Sequence, residues 1–441
     1  MSRTGHSYDE FRTGWPLLAS ALVGIGLGLS PVPFYTIGML APELVKAFGW
    51  NFAEIQFGLL ITSVTVLVAS PLVGLLADRV GVRRVVLGSV ALFGVTFMSF
   101  ALSSGSLVQF YATWALLALF GAGTLPVTWT RAVNHRFERR KGLALGLCLL
   151  GTGLFGFIAK PLTAALIAHY GWRSVYLGVG ALPLILAWPL AWLAFHDVAR
   201  APSQTPRAAL LARQAATPGL SFAEALRGWR FWLLGAVFVP VSFAVGGPIP
   251  NMENILRTAG FAPAQVVPLV SLIGLSVIAG RVIGGWLIDR FWAPAIAVVL
   301  LSAPALSCQL LAQDTLSVSV AALSIVLIGA AAGVEYDLMA FLVARYFGMR
   351  SYSAIYGALY GFFAMGAGFG PTLFARAFDR SHSFSGILSA ASLALVASAL
   401  LLLTLGRYPR FTLGSDQDQA VATISTSAPS GALSTPDALP P

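Results

Sequence analysis

The sequence predicts an all-α membrane protein, with twelve transmembrane helices in two pseudo-symmetric six-helix halves. Three observations carry this. The 441 residues are 57% hydrophobic and only 10% charged, whereas a soluble domain usually has about 25% charged residues. So little charge cannot cover a soluble surface of this size. Apolar runs recur along the chain, each close to the ~20 residues a helix needs to cross a bilayer. β-Barrel strands would read as segments of about ten residues with alternating polarity, and nothing here does. Finally, the second half can be laid on the first at an offset near 210: Lys46 falls on Arg257, Phe52 on Phe261, Gln56 on Gln265 and Asp78 on Asp289, and Gly123…Phe137 on Gly333…Phe347.

In order, the spans are expected at roughly 15–40, 54–77, 84–104, 107–131, 141–168, 173–195, 231–257, 265–289, 294–312, 315–343, 350–376 and 384–405. The domains follow: an N-terminal tail over 1–14, a six-helix half over 15–195, a polar linker over 196–230, a second half over 231–405, and a tail over 406–441. The linker carries Arg200, Arg207, Arg213, Arg227 and Arg230. The last segment is rich in Ser, Thr, Pro, Ala and Asp and reads as disordered. The first apolar run is too long for a signal peptide, so no cleavage is expected.

Charge orients the chain. With both termini cytoplasmic, 20 of the 27 Lys and Arg residues fall on the inner side and only Lys46, Arg173, Arg257, Arg376 and Arg380 on the outer. This follows the positive-inside rule and implies a multi-pass protein of the cell inner (plasma) membrane. It also accounts for the net charge of +10 without nucleic acid as a partner. Cys148 and Cys308 lie inside apolar runs and read as small core residues. The five histidines are scattered without ligand spacing, so no metal is expected. There is no P-loop for ATP, no other cofactor motif and no nucleophile–base constellation, so an enzyme is not expected. The partners left are the lipid bilayer and a small molecule.

A parallel repeat of six-span halves is a transporter signature, with the binding site between the halves near the midplane. The stretch Gly74-Leu-Leu-Ala-Asp78-Arg79-Val-Gly81-Val-Arg83-Arg84 resembles the signature loop of the major facilitator superfamily, and a weaker copy ends in Asp289-Arg290. The resemblance covers about 15–405 and implies a cytoplasmic latch. In it Asp78 caps a neighbouring helix, and Arg79, Arg83 and Arg84 pair with acids or lipid phosphates. The glycines would let helices approach, and a carboxylate is favourable at a helix N-terminus. Arg136-Phe-Glu-Arg-Arg-Lys141-Gly-Leu-Ala144, Tyr170-Gly-Trp-Arg173, Arg345-Tyr-Phe-Gly348 and Arg281 together resemble the monocarboxylate porter and oxalate/formate antiporter branches. Those branches imply a carboxylate substrate bound by the eighth-span arginine. Two of their features are missing: the first and eleventh spans hold no lysine, and Val277 stands where an aspartate precedes the arginine.

Lys160, Arg281, Glu335 and Asp337 are the ionisable residues read as well inside spans. A charge at the bilayer centre costs at least ~2.5–3.5 kcal/mol, so each should be paired, hydrated or functional. Arg281 offers a planar fork for a carboxylate. Lys160, on the other half, is expected across the cavity as a second positive charge, with Pro161 loosening its helix. Glu335 and Asp337 point about 200° apart on a helix. One is expected to pair with Arg281 or Lys160 and the other to titrate, with Glu335 favoured as the proton or ion-pair residue and Asp337, nearer the cytoplasmic end, as structural. Tyr352, Tyr356 and Tyr360 form a stripe that reads either as helix packing or as a cavity wall; Tyr35 and Trp129 are further candidates. The expected function is secondary transport of an organic anion, a mono- or dicarboxylate or an aromatic acid, by proton symport or exchange with a counter-anion. The protein is expected to act as a monomer. The alternative is a proton-coupled efflux pump for drugs or metabolites, which has no reason to keep two buried basic residues.

Overall fold

The computed structural model describes residues 5–137, 141–195, 218–313, 315–409 and 411. Most of the expected linker (196–217) and of the C-terminal tail (412–441) lies outside them. Among the described residues there are twelve helical stretches long and apolar enough to cross a membrane. The regular structure is helical, as the absence of water from a bilayer core demands, because each backbone N–H must find its partner within the segment.

The first half comprises α1 (Gly5–Gly26), α2 (Pro31–Phe48), α3 (Phe52–Val80), α4 (Val82–Ser99), α5 (Leu107–Gly121), α6 (Pro126–Arg136), α7 (Lys141–Tyr170), α8 (Trp172–Leu182) and α9 (Trp188–Ala194). A short α10 (Phe222–Arg227) precedes the second half: α11 (Trp229–Gly246), α12 (Pro248–Thr258), α13 (Pro263–Arg290), α14 (Ala293–Leu311), α15 (Val318–Phe347), α16 (Tyr352–Ser381) and α17 (Ser385–Leu403). An even number of crossings puts both chain ends on one side, the terminal end; the other is the far end.

The first span runs further than expected, to Phe48 rather than 40, because it is two helices in series. Pro31 and Pro33 lack backbone donors and restart the helix as α2. The N–H of Leu29, left over at the break, donates to Thr124 Oγ1 at 2.9 Å. Thr124 itself sits where the fourth span breaks between α5 and α6. The seventh span is interrupted likewise, at Gly246-Gly247-Pro248. α3 begins with a reciprocal side-chain cap between Asn51 and Glu54, and at the matching start of α13 the Gln265 side chain accepts from the Ala262 N–H at 3.1 Å. That shared start is one form of the internal repeat. Gly81 joins α3 to α4 with φ +97, a backbone conformation that disfavours other residues.

The halves meet mainly from the middle of the membrane to the far end. Midway, α7 crosses α13 at glycines: a Cβ on Gly274 would lie 2.0 Å from the Phe157 nitrogen and 2.4 Å from the Gly153 carbonyl. Gly153 and Gly156 face α13, while Gly151 packs against Leu22 and Gly26 of α1. At the far end, Asp379 of α16 accepts from the backbone N–H groups of Phe52 and Ala53 (3.2 and 2.8 Å). Phe52 meets Phe378 edge-on at 5.5 Å. Towards the terminal end the surroundings are open: a Cβ on Gly74, Gly146 or Gly357 would find no atom within 4 Å. Gly74 is therefore not a point of close helix contact here.

Candidate functional site

Arg281 lies on α13 between the halves, mid-span. Its Nε donates to the Gly333 carbonyl of α15 (3.2 Å) and one terminal nitrogen to the Leu149 carbonyl of α7 (3.1 Å), so the guanidinium bridges both halves. Asp337 stands 3.6 Å from Nε. The other terminal nitrogen makes no hydrogen bond among the described residues, and the side chain keeps 12% of its surface exposed. α13 and α15 come this close because small residues lie between them. A Cβ on Gly280 would meet the Ala330 carbonyl at 2.0 Å, and one on Gly333 the Val277 carbonyl at 2.1 Å. A larger residue at either glycine would push Arg281 away from its carbonyl partners.

The charge of Arg281 reaches Tyr35 on α2, Glu335, Tyr336 and Asp337 on α15, and Tyr356 on α16. Both acids on α15 thus share one basic neighbour despite their angular separation on the helix. Asp337 is partly exposed and makes the ion pair. Glu335 is buried, and its Oε2 has no hydrogen-bond partner. The tyrosine stripe is a stacked ladder: Tyr352–Tyr356 at 5.8 Å and 14°, Tyr356–Tyr360 at 6.4 Å and 26°, then Tyr360–Phe363 at 6.0 Å and 17°. Tyr336 joins it beside Tyr360 and Phe363. These rings are in part packed on one another and in part exposed, so packing and lining are both present in one stripe. Tyr35 is buried against Gly156. Trp129 is fully buried against Gly24 and Phe195, inside the first half.

Lys160 is not brought to Arg281. Its ammonium pairs with Glu253 of α12, and both side chains are fully buried. It lies eleven residues beyond Leu149 on α7, about 16 Å along the axis. α7 runs unbroken through Pro161. Glu253 escaped the sequence reading because it stands four residues from the expected span end at 257, where a carboxylate reads as interfacial. Gly-Gly-Pro-Ile-Pro breaks the span, and α12 is a separate helix on which Glu253 is buried against Lys160. Around the pair lies an inter-half polar cluster. Gln56 Nε2 donates to the Pro250 carbonyl (3.2 Å), Asn251 Nδ2 to the Gly247 and Pro371 carbonyls (2.9 and 3.1 Å), and Thr372 Oγ1 to the Gln56 carbonyl (3.2 Å).

At the terminal end, Arg83 donates to the Trp192 carbonyl, Arg79 and Arg84 are exposed, and Arg290 stacks on Trp286 at 4.6 Å. The side chains of Asp78 and Asp289 lie outside the described residues. No group of His, Cys, Asp and Glu among the described residues could hold a metal.

The Major Facilitator Superfamily profile matches residues 17–371. Over 369 residues the chain is 30% identical to an uncharacterized 38 kDa protein in the 23S RNA operon of Thermoproteus tenax, covering 83% of this chain and 90% of that one. It is 30% identical over 295 residues to monocarboxylate transporter 13 of Bos taurus, covering 65% of this chain and 64% of that protein's length. It is 27% identical over 386 residues to the gallate transporter of Pseudomonas putida, covering 77% and 83%. Its fold superposes on a bacterial homolog of the human lysosomal transporter Spinster, in an inward-facing and unoccupied conformation, with TM-score 0.63 at 18% identity over 92% of this chain and 96% of that one. The chain is a multi-pass membrane protein that belongs to the Major Facilitator Superfamily and resembles its monocarboxylate porters.

Proposed function

We propose that this protein is a secondary transporter of organic anions whose substrate is a small carboxylate, favouring one attached to an aromatic ring. The placement of Arg281 carries this reading. It is a permanent cation, mid-span between the halves, with one nitrogen free of hydrogen bonds and a tyrosine ladder within reach of its charge. A carboxylate would take the free nitrogen and displace Asp337, which balances Arg281 in the empty carrier. Tyr35, Tyr356 and Tyr360 would meet the rest of the substrate, their rings by stacking and their hydroxyls by hydrogen bonds. Relatives named for gallate and for monocarboxylates support the substrate class. Glu335 would bind the coupled proton; without it, the drive is exchange against a counter-anion.

The halves would rock about the Gly153–Gly274 crossing, exposing the site alternately. The excess of basic residues at the terminal end supports cytoplasmic termini in the cell inner membrane. Gly74, Asp78, Arg79, Gly81, Arg83, Arg84, Asp289 and Arg290 would latch that end, and one chain would suffice for transport. The test is uptake of radiolabelled gallate and benzoate by proteoliposomes under an imposed pH gradient. Arg281→Ala is expected to reduce uptake at low concentration at least ~10-fold, the loss of one charge-assisted carboxylate contact. Uptake unchanged in that variant, or absent from the wild type with both acids, overturns the reading.

A further inference from the structure

We propose that Glu253 is the proton-sensing acid of the far-end gate: a proton arriving at its carboxylate releases Lys160 and lets the halves part there. This rests on the alternating-access reading above, but assigns that event to residues away from the Arg281 site.

Lys160 belongs to the first half and Glu253 to the second, and neither side chain has any exposed surface. Among the described residues Lys160 bonds to Glu253 alone, and Glu253 Oε2 has no partner. The seat is tight: a Cβ at Gly38 would lie 2.1 Å from Glu253 Oε2 and 2.5 Å from the Pro250 carbonyl, so only glycine leaves room for the carboxylate. Around the pair, Gln56 and Thr372 hold the halves together through neutral hydrogen bonds, Gln56 donating to the Pro250 carbonyl and Thr372 to the Gln56 carbonyl. The ion pair, unlike these neutral bonds, changes strength with a single proton.

In a dry setting two opposite charges cannot be drawn apart without water to receive them. Protonating the carboxylate removes the attraction and leaves an uncompensated ammonium, which the closed gate cannot hydrate but an open one can. The balance is simple: one proton from the far-end solution binds a Glu253 oxygen, Lys160 keeps its charge and gains water, and no covalent bond between heavy atoms changes. Glu253 lies five residues before Thr258, where α12 ends, about 7 Å along the axis, so the path from solution is short. Among the described residues the other acids on the packed elements are engaged elsewhere, while Arg257 of α12 and Arg376 and Arg380 of α16 keep their charge at any working pH. Glu43 pairs with Lys46 on α2, Asp379 of α16 caps α3, and Glu335 and Asp337 of α15 share Arg281 of α13.

The test uses the full chain in lipid nanodiscs without substrate. Spin labels at Ser104→Cys and Thr315→Cys, exposed far-end loop positions on opposite halves, report the gate by pulsed electron–electron distance measurement. Both native cysteines are buried. In the wild type the open population should rise on acidification, by up to ~10-fold per pH unit for one linked proton. Glu253→Gln should be open and flat with pH. Lys160→Met with Glu253→Met, an apolar pair of similar bulk, should be closed and flat, which separates gating from folding. Glu335→Gln should keep the wild-type response. A pH response that survives Glu253→Gln or vanishes in Glu335→Gln overturns the proposal, as does a wild type with no response. Because no substrate is present, failure of the carboxylate reading leaves this outcome untouched.

Discussion

The capping of α3 by the opposite half makes a quantitative prediction about Asp379. Four backbone N–H groups open α3, those of Asn51, Phe52, Ala53 and Glu54, and a helix start leaves such donors without intrahelical partners. Asn51 and Glu54 serve one another, at 2.9 and 2.8 Å. Phe52 and Ala53 depend on the Asp379 carboxylate, at 3.2 and 2.8 Å. On the proposed alternating-access cycle these two bonds would be lost when the far end opens, with water taking both donors and the acid. A hydrogen bond to a charged group contributes a net ~1.5–3 kcal/mol. The longer bond is weaker, and the site is only part-buried, so Asp379→Ala should cost the closed state about 1–3 kcal/mol. That moves the closed/open equilibrium by roughly 5–150-fold. Asp379→Asn keeps one acceptor oxygen and should cost about half as much. Distances between labels at Ser104 and Thr315 give the populations directly. If Asp379→Ala leaves them unchanged while the protein stays folded, the inter-half cap contributes nothing and the argument fails.

Two further predictions follow from packing and from charge. Gly274→Ala forces its Cβ against the Phe157 and Gly153 backbone, so it should lower the thermal unfolding midpoint in detergent by an overpacking cost of ~1–3 kcal/mol. Gly357→Ala, with no atom within 4 Å of its Cβ, should be neutral or gain up to ~1 kcal/mol of helix propensity; equal midpoints for the two would refute the crossing. Glu224, in α10, has its carboxyl held below its ordinary 4.5, first by the Ser221 backbone N–H, then by the Ser221 hydroxyl and by Arg350 and Arg227. Because the folded value is the lower one, its contribution is present above about pH 4.5 and lost as pH falls through the folded value. Protection factors for amide exchange at Ala225 and Gly228, corrected for the intrinsic pH dependence, should therefore fall on acidification in the wild type and be uniformly low in Glu224→Gln.

The spans and the two-half plan were legible because a bilayer imposes a coarse, length-based code that needs no tertiary knowledge. Arg281 was legible for the same reason, as a charge roughly two turns inside an apolar run. What sequence could not supply was pairing. Lys160 and Glu253 are 93 residues apart, and nothing in either neighbourhood names the other. A carboxylate four residues from a span end carries no mark of burial, and the break at Gly246-Gly247-Pro248 does not say which face of α12 meets the other half. Tyr336 was passed over because the acids on either side of it drew the reading, although its ring completes the aromatic wall beside Tyr360 and Phe363. Asp379 was invisible as a cap because a cap is normally local, and this one reaches across the molecule.

The Lys160–Glu253 contact also bears on how the protein is made. Translation delivers Lys160 first, and the ribosome must add the linker and most of the seventh span before its acid exists. Through that interval the nascent first half carries a lone ammonium in the bilayer, at ~2.5–3.5 kcal/mol on insertion scales. The second half arrives with the mirror-image burden. Docking of the halves would relieve both burdens at once. A chain truncated before Glu253 would expose its unmatched lysine to membrane quality control.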